Sequence, residues 1–135
     1  MYKNILVPIM LDGSRDPETS LTAAKTLASD GARITLLNVL ETIPAYVMEH
    51  LPQTVFDMNR AAAKEKLDAL AKKLPNAHGV VVEGHAGPRI LRFADENKSD
   101  CIVIASHEPG MSDFLLGSNA QKVVRHAHCA VHVLR

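Results

Sequence analysis

The sequence predicts an α/β fold with a five-stranded, largely parallel sheet and helices on both faces. Apolar strand-like segments alternate with amphipathic helical segments in the order β-α-β-α-β-α-β-α-β, which is typical of parallel strands joined by right-handed crossovers. The fourth apolar segment, "CIVIA" (Cys101–Ala105), has no polar position, as expected of a central strand covered on both sides. With 135 residues and no linker or repeat, the chain is predicted to be a single domain, residues 1–135.

The chain opens with a strand and a helix. "NILVPIM" (residues 4–10) is predicted to be a buried strand whose end is marked by Pro8. The helix that follows has Asp16 as a candidate N-cap, Pro17 at its first position and Gly31 as its predicted C-terminal stop.

The middle of the chain contains a second strand and a long helix. "RITLLNVL" (residues 33–40) is rich in branched aliphatic residues and is predicted to be a strand. Residues 41–54 contain two prolines and are predicted to be irregular. Residues 55–74 repeat apolar positions with helical spacing and carry lysines on the opposite face, which predicts an amphipathic helix.

The second half repeats this alternation. "GVVVEG" (residues 79–84) predicts a third strand, and a helix begins at Gly87. After the "CIVIA" strand, a helix is predicted over Ser118–His126 and a last strand over Ala130–Leu134.

Composition excludes several classes of partner. Fifteen basic and fifteen acidic side chains balance, so neither nucleic acid nor an anionic membrane has electrostatic support as a partner. No apolar run approaches the roughly twenty residues that span a bilayer. The N-terminus reads as a strand rather than a secretion signal. Cys101 and Cys129 lie in or beside apolar segments, which predicts reduced thiols and a cytoplasmic protein.

The segment "LLGSNA" is the strongest candidate for a binding site. A helix beginning at Ser118 presents unpaired amide groups and the positive end of its dipole, which favour an anion. Gly117 lets a ligand approach the backbone, and Ser118 and Asn119 offer further donors. Ser106 and His107, which follow the fourth strand, would face this helix start across the carboxyl edge of the sheet. An ordinary helix cap would use Gly117 and Ser118 equally well.

Two common nucleotide motifs are absent from the sequence. "GVVVEGHA" has the spacing of a P-loop at Gly79 and Gly84, but His85 replaces the phosphate-binding lysine. No G-x-G-x-x-G motif is present, so a dinucleotide site of the usual kind is not predicted.

Three segments together resemble the universal stress protein family. They are "YKNILVPI", "EGHAGPRILRFADENKSDCIVIA" and "DCIVIASH…LLGSNAQKVVRHAHCAVHVLR", and the resemblance covers the whole chain in order. It implies a Rossmann-like sheet ordered 3-2-1-4-5 and a homodimer formed through the last strand, here Val131–Leu134. In the nucleotide-binding branch, the resemblance implies ATP in the crevice between strands one and four.

The resemblance assigns roles to particular residues of this chain. Gly117 and Ser118 match the final Gly-Ser of the family pattern Gly-x-x-Gly-x9-Gly-Ser/Thr, whose backbone and hydroxyl would hold phosphates. Ser106 and His107 resemble the residues between the first two glycines. The resemblance also implies that three further residues border the adenosine part of the nucleotide: Pro8, Ile9 and Val39.

The chain also departs from the family pattern. Ala105 and Glu108 stand where the first two glycines belong, and Gly110 is a candidate to restore flexibility to the loop. Met10 occupies the place of an Asp that follows the first strand, and Asp12 comes two residues later. The loop resembles that of a subgroup in which nucleotide binding occurs without these glycines.

Other candidate sites have weaker support. The cluster His126, His128, Cys129 and His132 suits zinc by residue type, but positions 129 and 132 point to opposite faces of a strand. A hydrolytic triad of Ser106 or Ser118 with His107 and Asp113 lacks a G-x-S-x-G elbow. No metal site and no catalytic residue are therefore predicted.

Two functions of different classes follow. The leading hypothesis is a dimeric sensor or regulator of the stress response that binds ATP with Mg²⁺ and hydrolyses it slowly at most. The alternative is a dimeric adapter that binds no nucleotide and acts through protein contacts. Met10, Ala105 and Glu108 favour the adapter. An esterase or phosphatase is a third, weaker possibility.

Overall fold

The computed structural model describes residues 1–11, 16–41, 45–106 and 116–135. In these ranges, five parallel strands form one sheet in the order β3-β2-β1-β4-β5, which confirms the predicted fold class. In chain order the elements are β1 (Tyr2–Pro8), α1 (Glu18–Leu27), β2 (Ala28–Glu41), α2 (Ala45–Met48), α3 (Gln53–Ala71), β3 (Ala77–Gly84), α4 (Ala86–Glu96), β4 (Cys101–Ala105), α5 (Ser118–His126) and β5 (Ala130–Leu134).

Helices cover both faces of the sheet. On one face, α1 and α3 pack through residues such as Leu21 and Leu67 against Ile5 and its neighbours. On the other face, α4 and α5 pack through residues such as Ile90 and Val123 against the opposite side of the strands. Successive strand residues alternate between these two cores, as the pleat requires. None of the described helices combines the length and the apolar character needed to cross a membrane.

The predicted helix stop at Gly31 is wrong. Helix α1 ends at Leu27, and β2 begins with the next residue, Ala28. Between Tyr2 and Asn4 strand β1 advances by two residues, whereas its partner β2 advances by five, from Ala28 to Arg33. Gly31 lies in this irregularity with a φ of 76°. The glycine therefore serves a bulge in the strand and not the end of the helix.

Other boundaries shift by a few residues. Pro17 is the N-cap of α1, and the Asp16 carboxylate accepts a hydrogen bond from the Glu18 amide at 3.0 Å, as a capping residue does. The predicted irregular stretch 41–54 contains the short helix α2 and the start of α3. Strands β4 and β5 and helix α5 have the predicted bounds.

Candidate functional site

A cleft of about 670 Å³ opens at the carboxyl ends of β1, β2 and β4. This volume is within the range of small-molecule sites. The cleft lies at the point where the winding of the sheet reverses, between β1 and β4. Its walls are mainly apolar and come from six parts of the fold: Pro8, Ile9, Met10 and Leu11; Leu37, Asn38, Val39, Leu40 and Glu41; Asn59, Ala62, Ala63 and Lys66; Ala86 and Ile90; Ile104, Ala105 and Ser106; Gly117, Asn119 and Ala120.

Most of the predicted binding residues meet in this cleft. The lining includes Pro8, Ile9, Met10, Val39, Ala105, Ser106, Gly117 and Asn119. Ser118 is exposed and is not among the lining residues. Asp12, His107 and Gly110, which the sequence also predicts as binding residues, lie outside the described residues, as do Glu108 and Asp113.

The start of α5 is tied to the end of β4. The Gly117 amide donates to the Ser106 carbonyl, and the Ser106 amide donates to the Leu134 carbonyl at 2.8 Å. Gly117 has a φ of −58°, a value that any residue adopts. Because its own amide is engaged, the amides that remain for an anion at this helix start are those of the first helical turn.

Asn119, which lines the cleft, also helps to cap α4. Its Oδ1 accepts a hydrogen bond from the Gly87 amide, in the first turn of α4, at 3.1 Å. The neighbouring Ala86 amide donates to Oε1 of Glu41 at 3.3 Å. Two side chains from other elements thus cap α4, whose own N-cap residue, His85, makes no side-chain cap bond.

The buried side chain of Asn38 holds the turn after β1. Its Nδ2 donates to the Ile9 carbonyl at 2.9 Å, and the Ile9 amide donates to the Leu37 carbonyl at 2.8 Å. These two bonds fasten the turn to β2 and so shape one wall of the cleft. Sequence reasoning missed Asn38, although a single amide inside "TLLNVL" was a visible signal.

Two charged side chains are found among the described lining residues. Glu41 is engaged with α4, since its Oε1 accepts from Ala86 and its Oε2 lies 3.6 Å from Nδ1 of His85. Lys66 projects from α3 and is exposed. No sequence pattern indicates a role for Lys66, because its position relative to the sheet depends on tertiary packing.

The alternative chemistry of the histidines and cysteines gains no geometric support. Within the described ranges, no three His, Cys, Asp or Glu side chains come close enough to share a metal ion. His128 pairs instead with the Asp95 carboxylate at 3.1 Å. Cys101 and Cys129 pack into the cores on opposite faces of the sheet.

Cys101 is expected to react very slowly with alkylating reagents in the folded protein. Burial raises the pKa of its thiol to about 11, with smaller contributions from the Cys129 and Asp100 charges. At pH 8 only about one in a thousand of these thiols is then ionised, and the thiolate is the reactive form. Timed iodoacetamide labelling of a Cys129→Ser variant, read by mass spectrometry, should show at least about 100-fold faster reaction in denaturant. Equal rates in the folded and unfolded protein would contradict a buried Cys101.

The whole chain matches a known family model. The model of the universal stress protein family covers residues 1–135. The chain belongs to the universal stress protein family. Two curated relatives of this family member are universal stress protein G of Escherichia coli O157:H7, 30% identical, and a universal stress protein of Thermus aquaticus, 31% identical. Both alignments cover all of this chain and all of the relative.

Solved structures of universal stress proteins share the fold of this family member. UspA from Lactobacillus plantarum is 26% identical with a TM-score of 0.81, and the alignment covers 99% of this chain and 98% of UspA. A protein of Archaeoglobus fulgidus in complex with dAMP and one of Arabidopsis thaliana with AMP bound are each 18% identical with TM-scores of 0.68. These two alignments cover 99% and 98% of this chain and 98% and 90% of the neighbours.

Proposed function

We propose that this universal stress protein binds ATP or a related adenine nucleotide in the cleft and acts as a regulator in the stress response. The observation that carries the proposal is the cleft itself, about 670 Å³ at the carboxyl ends of β1, β2 and β4 and bordered by the start of α5. An apolar cleft of this size suits a purine base, and a helix start suits an anion. The family neighbours with bound dAMP and AMP share the fold that forms this edge.

The described lining suggests how the base would be held. Val39 and Leu40 belong to β2, and Ile9 and Met10 follow β1, so apolar side chains and strand-end backbone groups meet there. Met10 replaces the Asp that the family resemblance implies and is 51% exposed. Because a thioether is a poor partner for ribose hydroxyls, we expect ribose to contribute little to affinity.

The cleft provides little for a metal ion of its own. Glu41 is the one carboxylate among the described lining residues, and its oxygens face the α4 amide and His85. Any Mg²⁺ that accompanies ATP would therefore be held by phosphate oxygens and water. We propose binding with slow hydrolysis at most, and an enzymatic role is not part of the proposal.

Calorimetry with MgATP tests this function. We expect the wild-type protein to release or absorb heat at micromolar to millimolar nucleotide, and a Gly117→Leu variant to lose that signal. Leucine at this position should block the cleft while the backbone keeps its conformation, because the φ of −58° suits any residue. Matched unfolding curves for the two proteins provide the control. Wild-type protein that is folded and gives no heat with MgATP would refute the proposal.

A nucleotide-independent adapter is the second candidate. It is favoured by the bond from the Gly117 amide to the Ser106 carbonyl. The backbone of Gly117 was predicted to serve a ligand, and its amide is engaged within the protein. The adapter predicts that the Gly117→Leu variant keeps its protein partners, whereas a nucleotide sensor loses ligand and response together.

The difference between the two edge strands of the sheet, β3 and β5, supports a homodimer formed through β5. At the β3 edge, Nη2 of Arg60 donates to the Val81 carbonyl at 3.2 Å, and Nζ of Lys64 donates to the Gly79 carbonyl at 2.9 Å. These side chains cover backbone groups that a further strand would need. The opposite edge strand, β5, has residues that are half-buried or exposed. We therefore propose that Val131–Leu134 pairs with a second copy.

A cytoplasmic location is part of the proposal. Cys101 and Cys129 pack into apolar cores on opposite faces of the sheet, as reduced structural thiols do.

A further inference from the structure

We propose that Lys66 contacts a phosphate of the bound nucleotide and selects phosphorylated ligands over the free nucleoside. This inference rests on the proposed function, since it assigns a residue of the same cleft. Among the described lining residues, Lys66 is the one cation. Lys66 lies on α3 and lines the cleft together with Asn59, Ala62 and Ala63 of the same helix.

Lys66 differs from three neighbouring basic residues, because each of those forms an ion pair with a carboxylate. On α3, Arg60 pairs with Glu83 at 2.9 Å, and Lys64 pairs with Asp68 at 2.6 Å. Lys73, just beyond the helix, pairs with Glu18. Within the described part of the chain, no carboxylate comes within 4.0 Å of the Lys66 ammonium group. The charge of Lys66 is therefore available to an anion in the cleft, whereas the charges of these neighbours are compensated.

An engaged group at the start of α5 strengthens the case for Lys66. The Gly117 amide donates to the Ser106 carbonyl, so one donor of the predicted phosphate cradle serves the protein. Glu41, the other charged lining residue, is directed to α4 and repels phosphate. A ligand phosphate at the α3 side of the cleft would meet a cation that has no carboxylate within 4.0 Å among the described residues.

A charge-matched pair of variants tests the inference. We expect Lys66→Gln to weaken ATP and AMP binding by about tenfold and adenosine binding by less than about twofold, because only the phosphorylated ligands use the ammonium group. Lys72→Gln removes the same charge from an exposed residue that does not line the cleft. It should change the affinity for each ligand by less than about twofold. Lys66→Arg should retain most of the ATP affinity.

The measurement is calorimetry with ATP, AMP and adenosine at two salt concentrations. The ATP affinity of the wild-type protein should fall with added salt more steeply than that of Lys66→Gln. If the wild-type protein binds ATP and Lys66→Gln binds it within about twofold as well, the inference is overturned and the proposed function stands. An equal loss for ATP and adenosine would also overturn it. If the wild-type protein binds none of the three ligands, the proposed function itself fails.

Discussion

Gly79→Ala is expected to lower the free energy of unfolding by about 2 kcal/mol, because β3 and α3 lie too close for a methyl group. A Cβ built on Gly79 would lie 2.7 Å from the Cβ of Leu67 and 3.3 Å from its backbone carbonyl carbon. Neither atom can rotate away, and Leu67 is fully buried. The helix would have to move off the sheet, so the urea midpoint should fall by about 1 M.

A second glycine provides the matched control. A Cβ on Gly87 would lie 2.9 Å from Cδ of Lys122, the flexible part of an exposed side chain. Because alanine also favours the helix, Gly87→Ala should have little effect or stabilise by up to about 1 kcal/mol. Equal stability of the Gly79→Ala variant and the wild type would contradict the close contact between β3 and α3.

Asn38→Leu is expected to cost about 2 kcal/mol of stability and to weaken nucleotide binding about tenfold. The substitution leaves the Ile9 carbonyl without the donor that Asn38 supplies at 2.9 Å. Asn38 is 7% exposed, so water cannot readily replace that donor. The turn after β1 would loosen, and this turn forms one wall of the cleft.

Asn97→Leu is the control for this prediction. Nδ2 of Asn97 donates to the Phe93 carbonyl at 2.9 Å, the same type of bond as in Asn38, but at an exposed helix end. Because water can satisfy that carbonyl, we expect a loss of at most about 0.5 kcal/mol and unchanged ligand affinity. Denaturant unfolding and calorimetry measure both quantities. Similar losses for the two variants would show that burial of Asn38 does not matter.

The glycines and prolines show which element boundaries short sequence patterns predict correctly and which they do not. Pro8 marks the end of β1 as predicted, and the apolar run Cys101–Ala105 forms β4 with its predicted bounds. Gly31 was predicted to stop a helix and instead lies in a strand irregularity. A glycine with positive φ suits both places, so only the register of β2 against β1 distinguishes them.

Some residues of the candidate site were likewise predicted from the sequence, and others were not. Strand order and the helix start in "LLGSNA" placed Pro8 and Gly117 at the carboxyl edge of a parallel sheet, and the family resemblance added Val39. The structure brings all three to one cleft. Sequence reasoning did not find Asn38 or Lys66. The role of Asn38 depends on a carbonyl 29 residues away in the chain, and that of Lys66 on how α3 lies over the sheet.

The sequence by itself determined the order of strands and helices, the fold class and the region of the sheet where a ligand would bind. These properties follow from hydrophobic periodicity and from the rules that connect parallel strands, both of which act over short stretches of chain. Tertiary structure alone decided which polar groups are engaged and which cation, among the described residues of the cleft, has no carboxylate partner. Hydrogen bonds such as that from the Gly117 amide to Ser106 join segments whose distance and orientation are set only when the helices pack on the sheet.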